Sequence, residues 1–203
     1  MIIKNILYNK KSNTFTVNTD TDYNFEILED TLVKFNLYKS MEINHEIIKN
    51  ILFENKKYIA INLSLKYIKN LKTEYEIREY LKLNQIETEI IDETICYLQS
   101  MNYIDDLKYA KYYTSDKIRI NKHGLQKIRL ALSLKGINKN IIDSVFEDAD
   151  TDTEHKNLLS EIEKKIKYNK TDKNQYEKLL KYLTNKGYSY SKIKLALKEI
   201  DYK

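Results

Sequence analysis

The chain has 203 residues, of which 42% are hydrophobic and 32% charged, so it can bury a core without disulfides or metals. It has no proline, three glycines and one cysteine, which argues against a β-sandwich or β-barrel and excludes a disulfide framework or a zinc site built on cysteines. The net charge of +5 is modest, and neither a membrane-spanning apolar run nor a signal-peptide pattern occurs, so we expect a cytoplasmic protein without membrane contact.

The first forty residues combine strand patterns with a short helical pattern. Residues 2–8 and 14–19 are rich in β-branched and aromatic side chains and are separated by a polar turn, which is typical of a β-hairpin. Residues 25–28 could add a third short strand, and residues 29–35 have the apolar spacing of one or two helical turns.

From His45 onward the apolar residues recur with the period of an α-helix, and no strand pattern returns. Asp105 is expected to cap a helix, because a carboxylate accepts hydrogen bonds from the free N–H groups at a helix start. The alternative is that Asp105 and Asp106 bind a metal or act as acid and base, but adjacent side chains point apart and no third ligand is near. The long helices are predicted at residues 45–70, 106–120 and 153–168.

A repeat of 51 residues organises the helical part. Three segments at this offset align without gaps, and Gly136 and Gly187 occupy one repeat position, where the first segment has Gln85. Glycine there predicts a left-handed residue that ends one helix just before the next begins. The sequence therefore predicts a mostly α protein, with three tandem three-helix units in an elongated curved array and a small N-terminal region that contains a β-hairpin. The predicted divisions are a β-containing extension at 1–42 and helical repeats at 43–104, 105–150 and 151–203.

Positive charge is concentrated in the second repeat. Residues 107–139 carry nine lysine or arginine residues against one acidic residue, Asp116, which gives a net charge of +8. Such a stretch suits a polyanion or an acidic protein surface, although a solvated lysine-rich face has the same composition. The predicted partner-binding surface consists of Lys117, Arg119, Lys122, Lys127, Arg129 and Lys135.

The sequence offers little evidence of an active site. The three histidines are scattered, and no phosphate-binding, dinucleotide-binding or nucleophile-elbow pattern occurs. Cys96 follows a helical apolar pattern and is expected to be buried and inert. Most tyrosines have core spacing, whereas Tyr112 and residues 188–190 are expected to be partly exposed. We therefore predict a protein without enzymatic activity, cofactor or metal.

The order of several short motifs resembles the RecX family of regulatory proteins. Residues 101–106 (MNYIDD) with residues 108–110 (KYA) are similar to the family segment G-Y-[IL]-[DN]-D-x-x-[FY]-A. Further positions follow in the family order: Gly124, Ile128, Arg129, Leu132, Lys135, Gly136 and Ile137. Asn102 replaces the usual glycine, and His123 is inserted into the usual Lys-Gly pair. The resemblance covers essentially the whole chain.

The resemblance implies a non-enzymatic modulator of the RecA recombinase, acting in DNA repair, recombination and the SOS response. Such proteins lie along the groove of the RecA–DNA filament and limit its extension, strand exchange, ATP hydrolysis and co-protease activity. Some members also contact single- or double-stranded DNA directly, and we expect this chain to be a monomer. Two other functions stay open: a helix-turn-helix DNA-binding protein and a helical-repeat scaffold for another partner.

Overall fold

The computed structural model describes residues 1–168 and 175–200, which divide into two compact units. The first unit comprises Met1–Leu71 and Ile77–Ile104. The second comprises Lys72–Glu76 and the described residues from Asp105 onward. One division falls inside the helix Glu74–Leu83, because the first turn of this helix packs within the second unit.

The first unit begins with a three-stranded antiparallel sheet. Val17 in the middle strand pairs with Ile6 on one side and Phe25 on the other. Val17 and Phe25 face a core that the helices α1 (Glu29–Lys34) and α2 (His45–Tyr67) complete, so the alternating pattern of the strands places their apolar side chains inward. The hairpin and the third strand are thus confirmed. In the order β1-β2-β3 the strands are Ile3–Asn9, Thr14–Thr19 and Asn24–Ile27.

A buried asparagine joins the sheet region to the long helix α2. The Asn55 Oδ1 accepts hydrogen bonds from the Leu28 N–H at 2.8 Å and the Thr31 hydroxyl at 3.0 Å. Its Nδ2 donates to the Glu26 carbonyl at 3.3 Å, so both ends of the buried amide are satisfied. The helices of this part of the chain are α1 (Glu29–Lys34), α2 (His45–Tyr67), α3 (Glu74–Leu83) and α4 (Thr88–Ser100).

The second unit is helical, and two apolar clusters form its core. The Asp105 carboxylate accepts a hydrogen bond from the Lys108 N–H at 2.9 Å, which confirms the predicted cap. The predicted mostly helical fold is also confirmed, and no described helix is both long and apolar enough to cross a membrane. The helices are α5 (Asp106–Arg119), α6 (Leu125–Leu134), α7 (Lys139–Glu147), α8 (Thr151–Tyr168), α9 (Gln175–Asn185) and α10 (Tyr190–Glu199).

The division into an extension at 1–42 and repeats at 43–104, 105–150 and 151–203 stays a prediction. The described residues form four apolar clusters, but α2 contributes Ile48 to one cluster and Ala60 to the next. The 51-residue period is nevertheless visible in the elements, because α4, α7 and α10 begin at Thr88, Lys139 and Tyr190.

Left-handed residues end many of the described helices. After each of them, the next N–H bonds to the carbonyl five positions earlier, as from Ile137 to Leu132 at 3.1 Å. This bond satisfies a carbonyl at the helix end that would otherwise lack a partner. A chain with three glycines and no proline therefore turns mostly on polar residues. The left-handed residues at these ends are Asn36, Gln85, Asn102, Gly136 and Gly187.

The two repeat glycines are also required by close packing. A Cβ on Gly136 would lie 2.3 Å from the Tyr75 Cβ, and one on Gly187 would lie 2.3 Å from the Lys127 Cβ. Tyr75 and Lys127 both lie in the first turn of a helix, α3 and α6 respectively. Gln85, at the equivalent position of the first repeat, is exposed. Glycine thus occurs where the start of another helix packs onto the turn.

Two expectations about side-chain burial were wrong. Cys96 is exposed, because Thr94, Ile95 and Leu98 take the inward positions of α4. Tyr188 is fully buried, and its hydroxyl donates to the Lys122 carbonyl at 2.9 Å. Tyr112 and Tyr190 are exposed, as expected.

We predict that Gly136→Ala destabilises the protein by more than the roughly 1–2 kcal/mol that a left-handed L-residue costs. The added methyl meets Tyr75, which belongs to the packed start of α3. Gln85→Ala is the matched control, since residue 85 is also left-handed but already carries a Cβ. Denaturant midpoints measure both changes, and equal midpoints for the two variants would contradict the packing role of Gly136.

Candidate partner-binding surface

The six predicted surface residues lie on one stretch of the second unit. Lys117 and Arg119 are in the last turn of α5, where a positive charge also favours the helix dipole. Lys122 lies in the segment that leads to α6, and its backbone is left-handed. Lys127 and Arg129 are on α6, and Lys135 is the residue at which that helix ends.

Three of the six cations, Arg119, Lys127 and Lys117, have no close ion-pair partner among the described residues. The Arg119 side chain is 68% exposed, and its guanidinium is 4.0 Å from the Asp150 carboxylate. Lys127 is exposed and forms no ion pair with any described residue. The Lys117 ammonium lies 5.1 Å from the centre of the Tyr113 ring, a contact that leaves its charge uncompensated.

Arg129, on α6, forms an ion pair with Asp143 on the next helix, α7. Its side chain is 43% exposed, and its guanidinium lies 2.5 Å from the Asp143 carboxylate on α7. The same guanidinium is 4.8 Å from the centre of the Phe146 ring. Because Asp143 and Phe146 lie one turn apart on α7, Arg129 links α6 to α7, and its positive charge is partly compensated there.

Lys135 is also bound within the second unit. Its ammonium is 2.7 Å from the Glu76 carboxylate and 5.5 Å from the centre of the Tyr109 ring. Burial alone would lower the pKa of Lys135, but the hydrogen bonds to Glu76 and Tyr109 outweigh it and raise that pKa. The Lys135 carbonyl accepts a hydrogen bond from the Thr73 hydroxyl at 2.8 Å. This lysine therefore fixes the first turn of α3.

The contacts at the start of α3 recur 51 residues later at the start of α6. The Glu74 N–H donates to Asp106 at 2.9 Å, and the Leu125 N–H donates to the buried Glu154 at 2.9 Å. The Gly124 N–H donates to the Lys186 carbonyl at 2.9 Å, the counterpart of the bond between Thr73 and Lys135. A carboxylate at a helix start satisfies free N–H groups, so both helices begin from fixed positions.

The pKa of His123 responds to three nearby lysines. Burial lowers the pKa of His123, and the positive charges of Lys127, Lys186 and Lys117 lower it further. Lys117 and Lys127 thus both act on the same imidazole, while their membership of one binding surface stays a prediction. Lys186 was missed, although it is the repeat equivalent of Lys135, and its ammonium is 2.8 Å from Glu161.

A small cavity adjoins Arg119. It has a volume of about 240 Å³ and lies between α5 and the segment that joins α7 to α8. Apolar side chains, among them Ile118 and Val145, line part of it, and Lys111 also borders it. The Lys111 ammonium is 3.9 Å from Asp148, so its pairing is as loose as that of Arg119. The sequence analysis did not identify Lys111 as part of a site.

The arrangement offers positive and apolar contacts. Across residues 1–168 and 175–200, no three or more His, Cys, Asp or Glu side chains are grouped so that they could hold a metal ion. Exposed cations of this kind attract phosphates and carboxylates over a distance, and salt screens the attraction.

Comparison with known families and proteins gives a consistent result. The family model described as "RecX, second three-helix domain" matches residues 105–145. A Regulatory protein RecX from Finegoldia magna is 32% identical over 197 residues, which cover 94% of this chain and 95% of that protein. A Regulatory protein RecX from Clostridium botulinum is 35% identical over 133 residues, which are 64% of this chain and only 62% of that relative.

Solved structures agree with the sequence relatives. A crystal structure of regulatory protein RecX superimposes with a TM-score of 0.79 and 25% identity, over 96% of this chain and 98% of that one. RecX from Lactobacillus salivarius gives a TM-score of 0.68 and 26% identity, over 73% of this chain and 98% of that one.

We predict that the pair of Glu76 and Lys135 makes stability depend on acid pH. Burial alone would raise the pKa of Glu76 above its ordinary value of 4.5, but the Lys135 ammonium and the Thr73 N–H outweigh it and lower that pKa. A carboxylate with a lowered pKa in the folded state stabilises above its unfolded pKa, and the effect is lost as pH falls through the folded pKa. Glu76→Gln should therefore be less stable at pH 7, with the deficit shrinking as pH falls below about 4.5.

Denaturant midpoints between pH 7 and pH 3 test this pair. Lys135→Met should reproduce most of the loss, and the double variant should lose less than the sum of the two single losses. A Glu76→Gln deficit that is the same at pH 7 and pH 3 would rule out the ion pair as its cause.

Proposed function

The chain belongs to the RecX family of regulatory proteins, and on that premise we propose that it regulates the RecA recombinase without being an enzyme. It binds the RecA–DNA filament in the cytoplasm as a monomer and inhibits recombination, ATP hydrolysis and co-protease activity. These activities belong to DNA repair, recombination and the SOS response. The observation that carries the proposal is the match to a RecX relative across nearly the whole of both chains.

The charges of the second repeat support a filament as partner. A nucleoprotein filament offers DNA phosphates and acidic protein side chains together, and cations without strong internal partners can bind either. Arg119, Lys117 and Lys127 fit this requirement, because their charges are loosely engaged in the protein. The Lys122 ammonium donates a hydrogen bond to the neutral Ser160 hydroxyl at 3.2 Å, which leaves its charge uncompensated as well. Direct contact with single- or double-stranded DNA is part of this proposal.

A sequence-specific helix-turn-helix protein is a weaker alternative. In that motif the second helix of the pair enters the major groove and contacts base edges. The corresponding helix here is α7, whose charged residues are Lys139, Asp143 and Glu147. Two carboxylates against one ammonium disfavour insertion between phosphate strands.

The rate of ATP hydrolysis by RecA on single-stranded DNA tests the proposal directly. Addition of the protein at well below one molecule per RecA should lower the rate, because a regulator bound along a filament affects many subunits. Binding to naked DNA, measured over the same salt series, shows whether DNA alone accounts for the effect. No change in the rate at any ratio would refute the proposed function.

We predict that Arg119→Glu combined with Lys127→Glu weakens filament binding by about tenfold or more, on the order of 1.4 kcal/mol. Both residues are exposed and loosely paired, so the fold should be retained. Arg129→Glu is avoided, because it would place a carboxylate against Asp143. The control is Lys10→Glu with Lys11→Glu, an equal charge change on the exposed hairpin turn.

The two double variants should differ most at low salt and converge as salt rises. Equal inhibition of RecA by both, at matched salt and with unchanged thermal unfolding, would move the binding surface away from the second repeat.

A further inference from the structure

The solvent-facing side of α6 carries two large apolar residues. Leu130 is 62% exposed and Leu134 is 74% exposed. They lie four positions apart and therefore on the same side of the helix, opposite the buried Ile128 and Leu132. An exposed leucine alone is unremarkable, but two adjacent ones on the outer side of a helix form a contiguous apolar surface.

The fold does not require these leucines. The positions equivalent to Leu130 and Leu134 in the third repeat are Lys181 and Asn185, both of which are exposed and polar. The same helix position therefore tolerates ordinary solvent-facing residues, and packing inside the protein gives no reason for leucine.

A positive charge adjoins the two leucines. Lys127 precedes Leu130 by three positions on the same exposed side, and no described residue forms an ion pair with it. The helix itself contains no acidic residue. Lys127, Leu130 and Leu134 together form a surface that we call the α6 patch. Its chemistry is complementary to an apolar side chain flanked by carboxylates.

We propose that the α6 patch docks onto the protein component of the filament, at a surface where an apolar side chain lies beside acidic ones. This inference rests on the proposed function and specifies which part of the second repeat meets protein. Lys127 recognises the carboxylates, and the two leucines exclude water from the contact. DNA is the poorer occupant, because its backbone offers phosphates to Lys127 but no apolar group for Leu130 and Leu134.

The two kinds of contact respond differently to salt. Attraction between Lys127 and carboxylates weakens as ionic strength rises, whereas burial of the leucines does not. Filament binding should therefore keep a component that persists at high salt, and this component should depend on the leucines. Naked-DNA binding has no such component, since it depends on phosphate contacts.

The test uses Leu130→Gln with Leu134→Gln in the full chain. Glutamine forms helices well and adds no charge, so folding and electrostatics should be unchanged. The control is Leu83→Gln, because Leu83 is the last residue of α3, occupies the repeat position of Leu134 and is 82% exposed. We expect the double variant to bind RecA filaments about tenfold more weakly at high salt, with naked-DNA binding unchanged and the control within about twofold of the parent.

The other outcomes separate a failure of the docking site from a failure of the proposed function. A double variant that binds filaments like the control would overturn the docking site while leaving the proposed function intact. Equal loss of filament and naked-DNA binding would also overturn it, since the patch would then contact DNA. A parent protein that binds naked DNA but neither binds filaments nor alters their ATP hydrolysis would overturn the proposed function together with this inference.

Discussion

The second unit depends on one contact between two backbones, in which the start of α6 lies directly on the turn between α9 and α10. A Cβ on Gly124 would be 2.3 Å from the Gly187 carbonyl oxygen, so any side chain there would separate the two segments. At this distance the N–H of Gly124 bonds to the Lys186 carbonyl and that of Gln126 to the Gly187 carbonyl. Polar groups at a helix start and a helix end thereby satisfy each other without water. Tyr188, the next residue after Gly187, is fully buried, and the Lys127 Cβ lies against Gly187.

The lysines of the repeat serve two different purposes. Lys135 and Lys186 occupy equivalent positions, and each pairs with a glutamate and lies over a tyrosine ring. Their charges are compensated within the second unit, so they stabilise the turns at which they lie. Lys127 and Arg119 lack such partners or hold them loosely. The net charge of the 107–139 stretch therefore overstates the charge that a partner can meet, because part of it is used to join helices.

Apolar and positive groups together suit the surface of a regulatory protein. Charge brings a partner close at a rate that depends on salt, and apolar contact slows its departure. The composition of the second repeat shows only its positive charge. The α6 patch adds an apolar contact, which slows the departure of a partner. The proposed filament partner would use both kinds of group. A nucleoprotein filament offers an acidic protein surface as well as phosphates.

The sequence by itself determined the elements whose causes are local. Strands in the first forty residues, the Asp105 cap and the left-handed turn at Gly136 depend on residues a few positions apart, and the 51-residue repeat made the turns visible. The tertiary structure decided whatever depends on distant residues. The pairing of Arg129 with Asp143 joins separate helices, and that of Lys135 with Glu76 spans 59 positions, so neither side chain's availability could be read from its neighbours. Cys96 and Tyr188 were misjudged because helical periodicity gives the inward side only approximately, and the packed neighbour then determines what is buried.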